Sequence, residues 1–199
     1  MKTTAIKNEA LQKYLNETFV QASFHLSALT GKEISISRYF LNFIEGDQFI
    51  RENRNSDDEA YFASILKLRD IVPMDVILLI SEAEGRTLYE ILSGAGAGSV
   101  TEIDNDVIAG IGEINNILGS CFVNVLADKY KAEVHPTTPI NTFDMLGAIL
   151  EEILLQHEYI DNIVLCADVL LREKRMGRFH VRFMVISPQQ QLPDMIHDD

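Results

Sequence analysis

The 199-residue chain contains no tryptophan, only two cysteines, and 17 lysine and arginine residues against 30 aspartate and glutamate residues. The formal net charge of −13 argues against a surface for nucleic acid or anionic lipid, because such surfaces are basic, and it favours a partner that presents lysine or arginine. Cys121 and Cys166 lie far apart in apolar segments, which indicates buried thiols rather than a disulfide framework. No apolar run resembles a signal peptide or a transmembrane helix, so we expect a cytoplasmic protein without membrane insertion.

The sequence also lacks the usual motifs of self-contained enzymes. Its five histidines show no metal-ligand spacing, and there is no Gly-x-Ser-x-Gly for acyl transfer. The glycine-rich run 94–99 follows a helical segment and lacks a subsequent Lys-Ser or Lys-Thr pair, so it is interpreted as a linker and not as a phosphate loop. We therefore expect no metal site, and any activity requires a partner.

The most informative stretch is the helix predicted over 104–130, because its two faces differ. One face carries Glu113 and Asn116 one turn apart, between Ala109 and Ser120. Such a carboxylate and amide can orient a water molecule towards a phosphorus atom that another protein's metal already polarises, but the pair is also common on ordinary solvated helix faces. The other face is an apolar stripe typical of a helix packed on a core, formed by Val107, Ile111, Ile114, Leu118, Cys121, Phe122 and Val125.

Three glycines, Gly110, Gly112 and Gly119, interrupt this helix, each at a cost of roughly 1 kcal/mol relative to alanine. Two explanations remain open. The glycines admit the backbone of another protein near Asn116, or they let the other long helix of the chain pack closely.

The chain repeats its plan with an offset of 100 residues, which aligns Asn16 with Asn116. The periodicity predicts helices over 5–30, 82–93, 104–130 and 141–157, strands over 32–41, 60–68, 74–80, 131–136, 163–171 and 178–186, and a polar surface loop over 45–58.

This plan predicts an α+β fold with an internal pseudo-twofold axis. Two long helices, near 6–29 and 102–128, pack on one face of a shared antiparallel sheet. The repeats, about 5–93 and 101–187, form a single domain over 1–187, and the polar stretch 188–199 is predicted to be a mobile tail. Because one chain supplies both halves of the sheet, we expect a monomer.

Glu113-x2-Asn116, followed after 22 residues by Pro139, resembles the motif of the CheC/CheX/FliY phosphatases of bacterial and archaeal chemotaxis. That motif is Asp or Ser, x3, Glu, x2, Asn, x22, Pro, and Ala109 departs from it at the first position. The surrounding sequence is most similar to CheC, over about residues 8 to 187, in GEINNILGSCFVNVLADKY, TTPINTFDMLGAILEEIL and HLSALTGKEISIS.

The resemblance implies hydrolysis of the aspartyl phosphate of a CheY-type response regulator, which itself holds the magnesium ion. Glu113 is then expected to pair with the active-site lysine of the regulator, and Asn116 to align the attacking water. The alternative is a non-catalytic docking module of the chemotaxis or flagellar switch system, which binds a response regulator or the receptor deamidase CheD.

The first half of the chain carries a degenerate version of the motif. Glu9, Lys13, Asn16 and Tyr39 occupy its four positions, so only the Asn is retained. Lys13 reverses the charge expected there, and Glu9 and Lys13 also have the spacing of an ordinary surface ion pair. The sequence therefore predicts one functional site in the second half and a second, degenerate site in the first.

Overall fold

The computed structural model describes residues 9–53, 59–69, 73–155, 162–173 and 177–188. The predicted tail is 188–199, and apart from Pro188 it lies outside the described residues. The described residues form, in order, α1 (Glu9–Thr30), β1 (Ile34–Glu45), α2 (Gly46–Asn53), β2 (Ala60–Leu68), β3 (Met74–Ser81), α3 (Glu82–Ser93), α4 (Asn105–Tyr130), β4 (Ile140–Met145), α5 (Leu146–Leu155), β5 (Asn162–Glu173) and β6 (Gly177–Pro188).

The six strands form one antiparallel sheet in the order β1-β5-β6-β3-β2-β4. Each half exchanges its first strand with the other half, because β1 pairs with β5 and β4 pairs with β2. When each strand is replaced by its counterpart in the other half (β1 by β4, β2 by β5 and β3 by β6), the same strand order is obtained in reverse. A pseudo-twofold axis therefore passes between β3 and β6, where Ile77 lies opposite Met184. The predicted duplicated α+β architecture is confirmed.

The two long helices pack side by side on one face of this sheet and run antiparallel. Phe19 of α1 and Phe122 of α4 both contact the ring of Phe183, at centroid distances of 5.8 and 5.1 Å. Near the start of α1, Tyr14 lies 4.4 Å from the Lys129 Nζ atom near the end of α4. Residue numbers therefore rise along α1 as they fall along α4, as a twofold axis between the helices requires.

The opposite face of the sheet is covered by helices α2 and α5. Phe49 of α2 and four residues of α5, Leu146, Ile149, Leu150 and Ile153, bury their side chains there in a second core. The segment 45–58 was predicted to be a loop, and for Gly46–Asn53 that prediction is wrong. Burial of Phe49, at about 1.5–3 kcal/mol for a side chain of this size, holds a mostly polar helix against the sheet.

Two further predictions are wrong after α4. The predicted strand 131–136 is not formed, since residues 131 and 132 turn at the end of α4 and Pro136 lacks the N–H group that a ladder needs; the next residue, Thr137, instead bonds Lys67 of β2 through its amide, at 3.0 Å, and its hydroxyl, at 3.2 Å. The helix predicted over 141–157 begins only at Leu146, and residues 140–145 form the edge strand β4.

The glycine-rich linker 94–99 is a compact turn held by a carboxylate of the chain itself. Glu90 of α3 is buried and accepts the N–H groups of Gly98 and Val100, each at 3.0 Å. Backbone N–H groups that could have received a phosphate are thus already bound to an anion. This contact agrees with the interpretation of the run as a linker.

The Glu90 contact predicts a specific pH dependence of stability. The hydrogen bonds from Val100 and then Gly98 lower the pKa of the Glu90 carboxyl. Its stabilisation is therefore complete above the unfolded pKa of about 4.3 and is lost as the pH falls through the lower folded value. We expect Glu90→Gln to melt at a lower temperature than the wild type at pH 7, and the difference to shrink towards pH 3. Equal differences at both pH values, measured by thermal unfolding, would contradict this account.

Candidate functional site

Helix α4 is a rigid platform whose start and inner face are both fixed. The Asp104 side chain accepts the N–H groups of Asp106 and Val107, at 3.1 and 3.0 Å, and caps the helix. All seven residues predicted for its apolar stripe are buried, with at most 4% of each exposed: Val107, Ile111, Ile114, Leu118, Cys121, Phe122 and Val125.

The opposite face of α4 points outward, as predicted, and brings the candidate residues together. Glu113 is exposed and Asn116 is half-buried, one turn apart on the same side. Among the described residues, nothing forms a hydrogen bond or ion pair with the Glu113 carboxylate. The Ser120 hydroxyl donates a long hydrogen bond, 3.4 Å, to Oδ1 of Asn116. The amide is thus weakly held while the carboxylate is free to bind a cation.

The three glycines of α4 serve neither of the two purposes considered from the sequence. A Cβ atom added to each would meet a side chain of the same chain, and those side chains belong to α3, β4 and β2 rather than to α1. The glycines therefore let internal neighbours approach α4, which replaces both earlier explanations. The contacts pair Gly110 with Tyr89, Gly112 with Asn141 and Gly119 with Leu66.

Pro139 lies in the segment between α4 and β4 and is half-buried. Strand β4 begins directly after it, at Ile140, and pairs with β2 from Ile140 opposite Ile65 to Met145 opposite Ala60. Because proline lacks an N–H donor, it favours the start of a strand over its interior. The proline of the motif thus stands directly before β4, a position that suits its missing N–H group.

The degenerate site of the first half presents a different surface. Lys13 and Asn16 are exposed on α1, but the next outward positions are Val20 and Phe24, exposed by 70% and 72%. The equivalent positions of α4, 100 residues later, are polar, namely Ser120 and Asn124. The side chains of Glu9 and Tyr39 lie outside the described residues.

Neither cysteine supplies a reactive thiolate, and the described residues show no metal-binding cluster. Burial raises the pKa of the Cys121 thiol, and it raises the pKa of Cys166 to about 12, so both remain protonated at neutral pH. No three His, Cys, Asp or Glu side chains converge into a metal-binding group within the described ranges. None of the described helices is both long enough and apolar enough to cross a bilayer.

A separate cleft of about 630 Å³ lies near the start of α3, on the side of the sheet that α2 and α5 cover. Its charged groups are largely paired with one another. Glu84 bonds Nδ1 of His180 at 2.8 Å, and Nε of Arg182 donates to Asp168 at 3.3 Å. This cleft is distinct from the outward face of α4.

No protein-family model matches the sequence, and no curated protein matches it. Solved structures do share its fold. FliY from Thermotoga maritima has a TM-score of 0.74 and 12% identity, over 98% of this chain and 96% of that chain. The FliM middle domain from H. pylori has a TM-score of 0.67 and 10% identity, over 96% and 98%. CheX from Vibrio vulnificus has a TM-score of 0.52 and 10% identity, over 87% and 99%.

At these identities the comparison establishes the fold. The chain has the architecture of FliY, the FliM middle domain and CheX, so the resemblance inferred from the motif is confirmed at the level of fold. The greater similarity to CheC and the roles of individual residues stay predictions.

Proposed function

We propose that this protein hydrolyses the aspartyl phosphate of a CheY-type response regulator. The observation that carries the proposal is the pair Glu113 and Asn116, side by side on the outward face of α4. The fold shared with CheX and FliY, and Pro139 at the motif spacing, support the same activity.

In the proposed reaction, a water molecule attacks the phosphorus in line with the leaving aspartyl oxygen. An asparagine amide has both a donor and an acceptor, so Asn116 can hold this water and contact the phosphoryl group at once. The Ser120 hydroxyl donates only a long hydrogen bond to Oδ1, so the amide stays able to turn towards the water. The magnesium ion of the regulator supplies charge neutralisation.

Glu113 is proposed to bind the active-site lysine of the regulator. Its carboxylate is exposed and has no partner among the described residues, so forming the pair breaks no existing contact. The net charge of −13 also favours approach of a partner that presents a lysine. We propose that the protein acts in the cytoplasm, as a monomer.

The decay of a phosphorylated CheY-type regulator, with and without this protein, tests the proposal. The protein at one tenth of the regulator concentration should shorten the phosphate lifetime and turn over many regulator molecules. An unchanged lifetime at equal concentrations would refute phosphatase activity towards that regulator.

A docking module of the chemotaxis or flagellar switch system is the second candidate. The exposed Val20 and Phe24 on α1 favour it, because adjacent large apolar side chains on an outward helix face are typical of protein contacts. The partner would be a response regulator or CheD. Binding of a phosphorylated regulator without any change in its phosphate lifetime, with binding lost in Phe24→Ser, would identify this function.

A further inference from the structure

A second amide lies against α4 beside Glu113 and Asn116. The side chain of Asn141, in β4, fills the space above the backbone of Gly112. A Cβ atom at Gly112 would lie 2.5 Å from Cγ of Asn141 and 2.8 Å from its Oδ1, with Nδ2 closer still. The amide can occupy this position only because residue 112 has no side chain.

Pairing of β4 with β2 directs Asn141 towards α4. Asn141 lies opposite Ser64, and residues directly opposite each other in an antiparallel pair point to the same face of the sheet. Two residues along the strand, Phe143 lies opposite Phe62, and the two rings are 4.7 Å apart on that face. Asn141 is thus placed by an ordered strand.

The position above Gly112 is next to Asn116. Residues four apart on a helix have Cβ atoms roughly 5–6 Å apart on one side, so the Asn141 amide stands about one such step from the Cβ of Asn116. The Asn141 amide and the Asn116 side chain therefore lie on neighbouring turns along one side of α4, close enough for both to contact one bound group.

The surroundings of Asn141 on the sheet side are polar as well. Asn115, one turn after Gly112, is 1% exposed, and neither atom of its amide has a hydrogen-bond partner among the described residues. Ser64 is also buried, 2% exposed, opposite Asn141. An exposed amide beside Asn116 is suited to a ligand.

The geometry points to Asn141 as a second amide that contacts the phosphoryl group during hydrolysis. This inference rests on the proposed phosphatase function. Asn116 orients the attacking water from α4, and Asn141 donates to a phosphoryl oxygen from β4. Pro139 stands directly before the strand that carries Asn141.

Three variants of the full chain test this role against a phosphorylated CheY-type regulator. Asn141→Ala removes the amide. Gly112→Ala keeps Asn141 but places a Cβ atom where its amide lies, so the amide must move away. Each is expected to lower kcat about 10-fold, as loss of one ordinary hydrogen bond does, with KM changed less than 2-fold. The double variant should lose no more than either single variant, because both remove the same contact.

The fold and the neighbouring surface serve as controls. Asn124→Ala removes an exposed amide two turns after Asn116 and should leave kcat unchanged. Gly112→Ala should not lower the melting temperature, because alanine favours the helix and the displaced group is a mobile side-chain end. An active wild type with unchanged kcat in Asn141→Ala, or additive losses in the double variant, would overturn this inference alone. An inactive wild type would overturn the proposed function, and this inference with it.

Discussion

Replacing Asn116 by alanine is expected to slow dephosphorylation of the regulator by about 100-fold, the usual effect of removing a group that stabilises or orients the transition state. Alanine can neither donate nor accept a hydrogen bond, so the attacking water loses its fixed position. The fold should persist, since the one bond to Ser120 is long and the change in unfolding free energy stays within about 0.5 kcal/mol. Regulator decay at several enzyme concentrations, with thermal melting, measures both effects.

Asn16→Ala is the matched control within the same molecule. It removes the same amide from the equivalent position of α1 and should change the rate less than 2-fold. Lys13, exposed one turn earlier, stands where the second half has Glu113, and its charge would repel a regulator lysine. Equal losses from the two asparagine variants would refute a single site in the second half, and no loss from Asn116→Ala would remove that residue from the site.

The structure adds a second reason for this asymmetry. Beyond the asparagine, the outward face of α1 carries Val20 and Phe24, whereas the equivalent face of α4 carries Ser120 and Asn124. A hydroxyl 3.4 Å from Oδ1 of the asparagine is therefore present on α4, and an apolar side chain replaces it on α1. The duplicated fold thus keeps two similar platforms with different surfaces.

The elements that the sequence predicts well are those with long, unambiguous periodicity. The bounds of β2 and α3 agree with the predictions, and α4 differs by only one residue at its start. Helix α2 escaped prediction because its sequence is mostly polar and the burial of Phe49 depends on a tertiary contact. A helix of 8 residues is too short to be stable alone, so its tertiary contact with the second core decides its structure.

The misassignment of β4 has a different physical origin. Apolar residues before Leu146 continue the helical spacing of α5, so the sequence alone extends the helix to residue 141. Pairing with β2 overrides this local preference, since Phe143 packs on Phe62 and the backbone completes the edge of the sheet. Strand partners distant in sequence leave no local pattern.

Separation in sequence also explains why the sequence did not indicate Asn141 as part of the candidate site. The helical period of α4 suffices to place Glu113 and Asn116 outward and the apolar stripe inward. The contact between Gly112 and Asn141 joins a helix to an edge strand that was predicted as helix, and the glycine interruptions were its only trace in the sequence. A glycine beside a candidate polar pair was therefore a usable signal for a third residue.

Glu113→Gln is expected to reduce dephosphorylation efficiency by about 30-fold or more. The substitution keeps the shape and the helix propensity of the side chain but removes the charge from a contact that the complex desolvates. Truncating one partner of such a pair costs about 2–5 kcal/mol, and 2 kcal/mol corresponds to about 30-fold in rate. Since Glu113 is exposed and unpaired among the described residues, the melting temperature should not change.

Asp128→Asn provides the control for net charge, because it removes one negative charge from the exposed end of the same helix, about 22 Å along its axis from Glu113. It should leave dephosphorylation unchanged if Glu113 acts through a direct contact. Equal losses in the two variants would show that only the overall field attracts the regulator. Unchanged melting together with unchanged dephosphorylation in Glu113→Gln would remove Glu113 from the site, and melting lowered in step with activity would make it a structural residue.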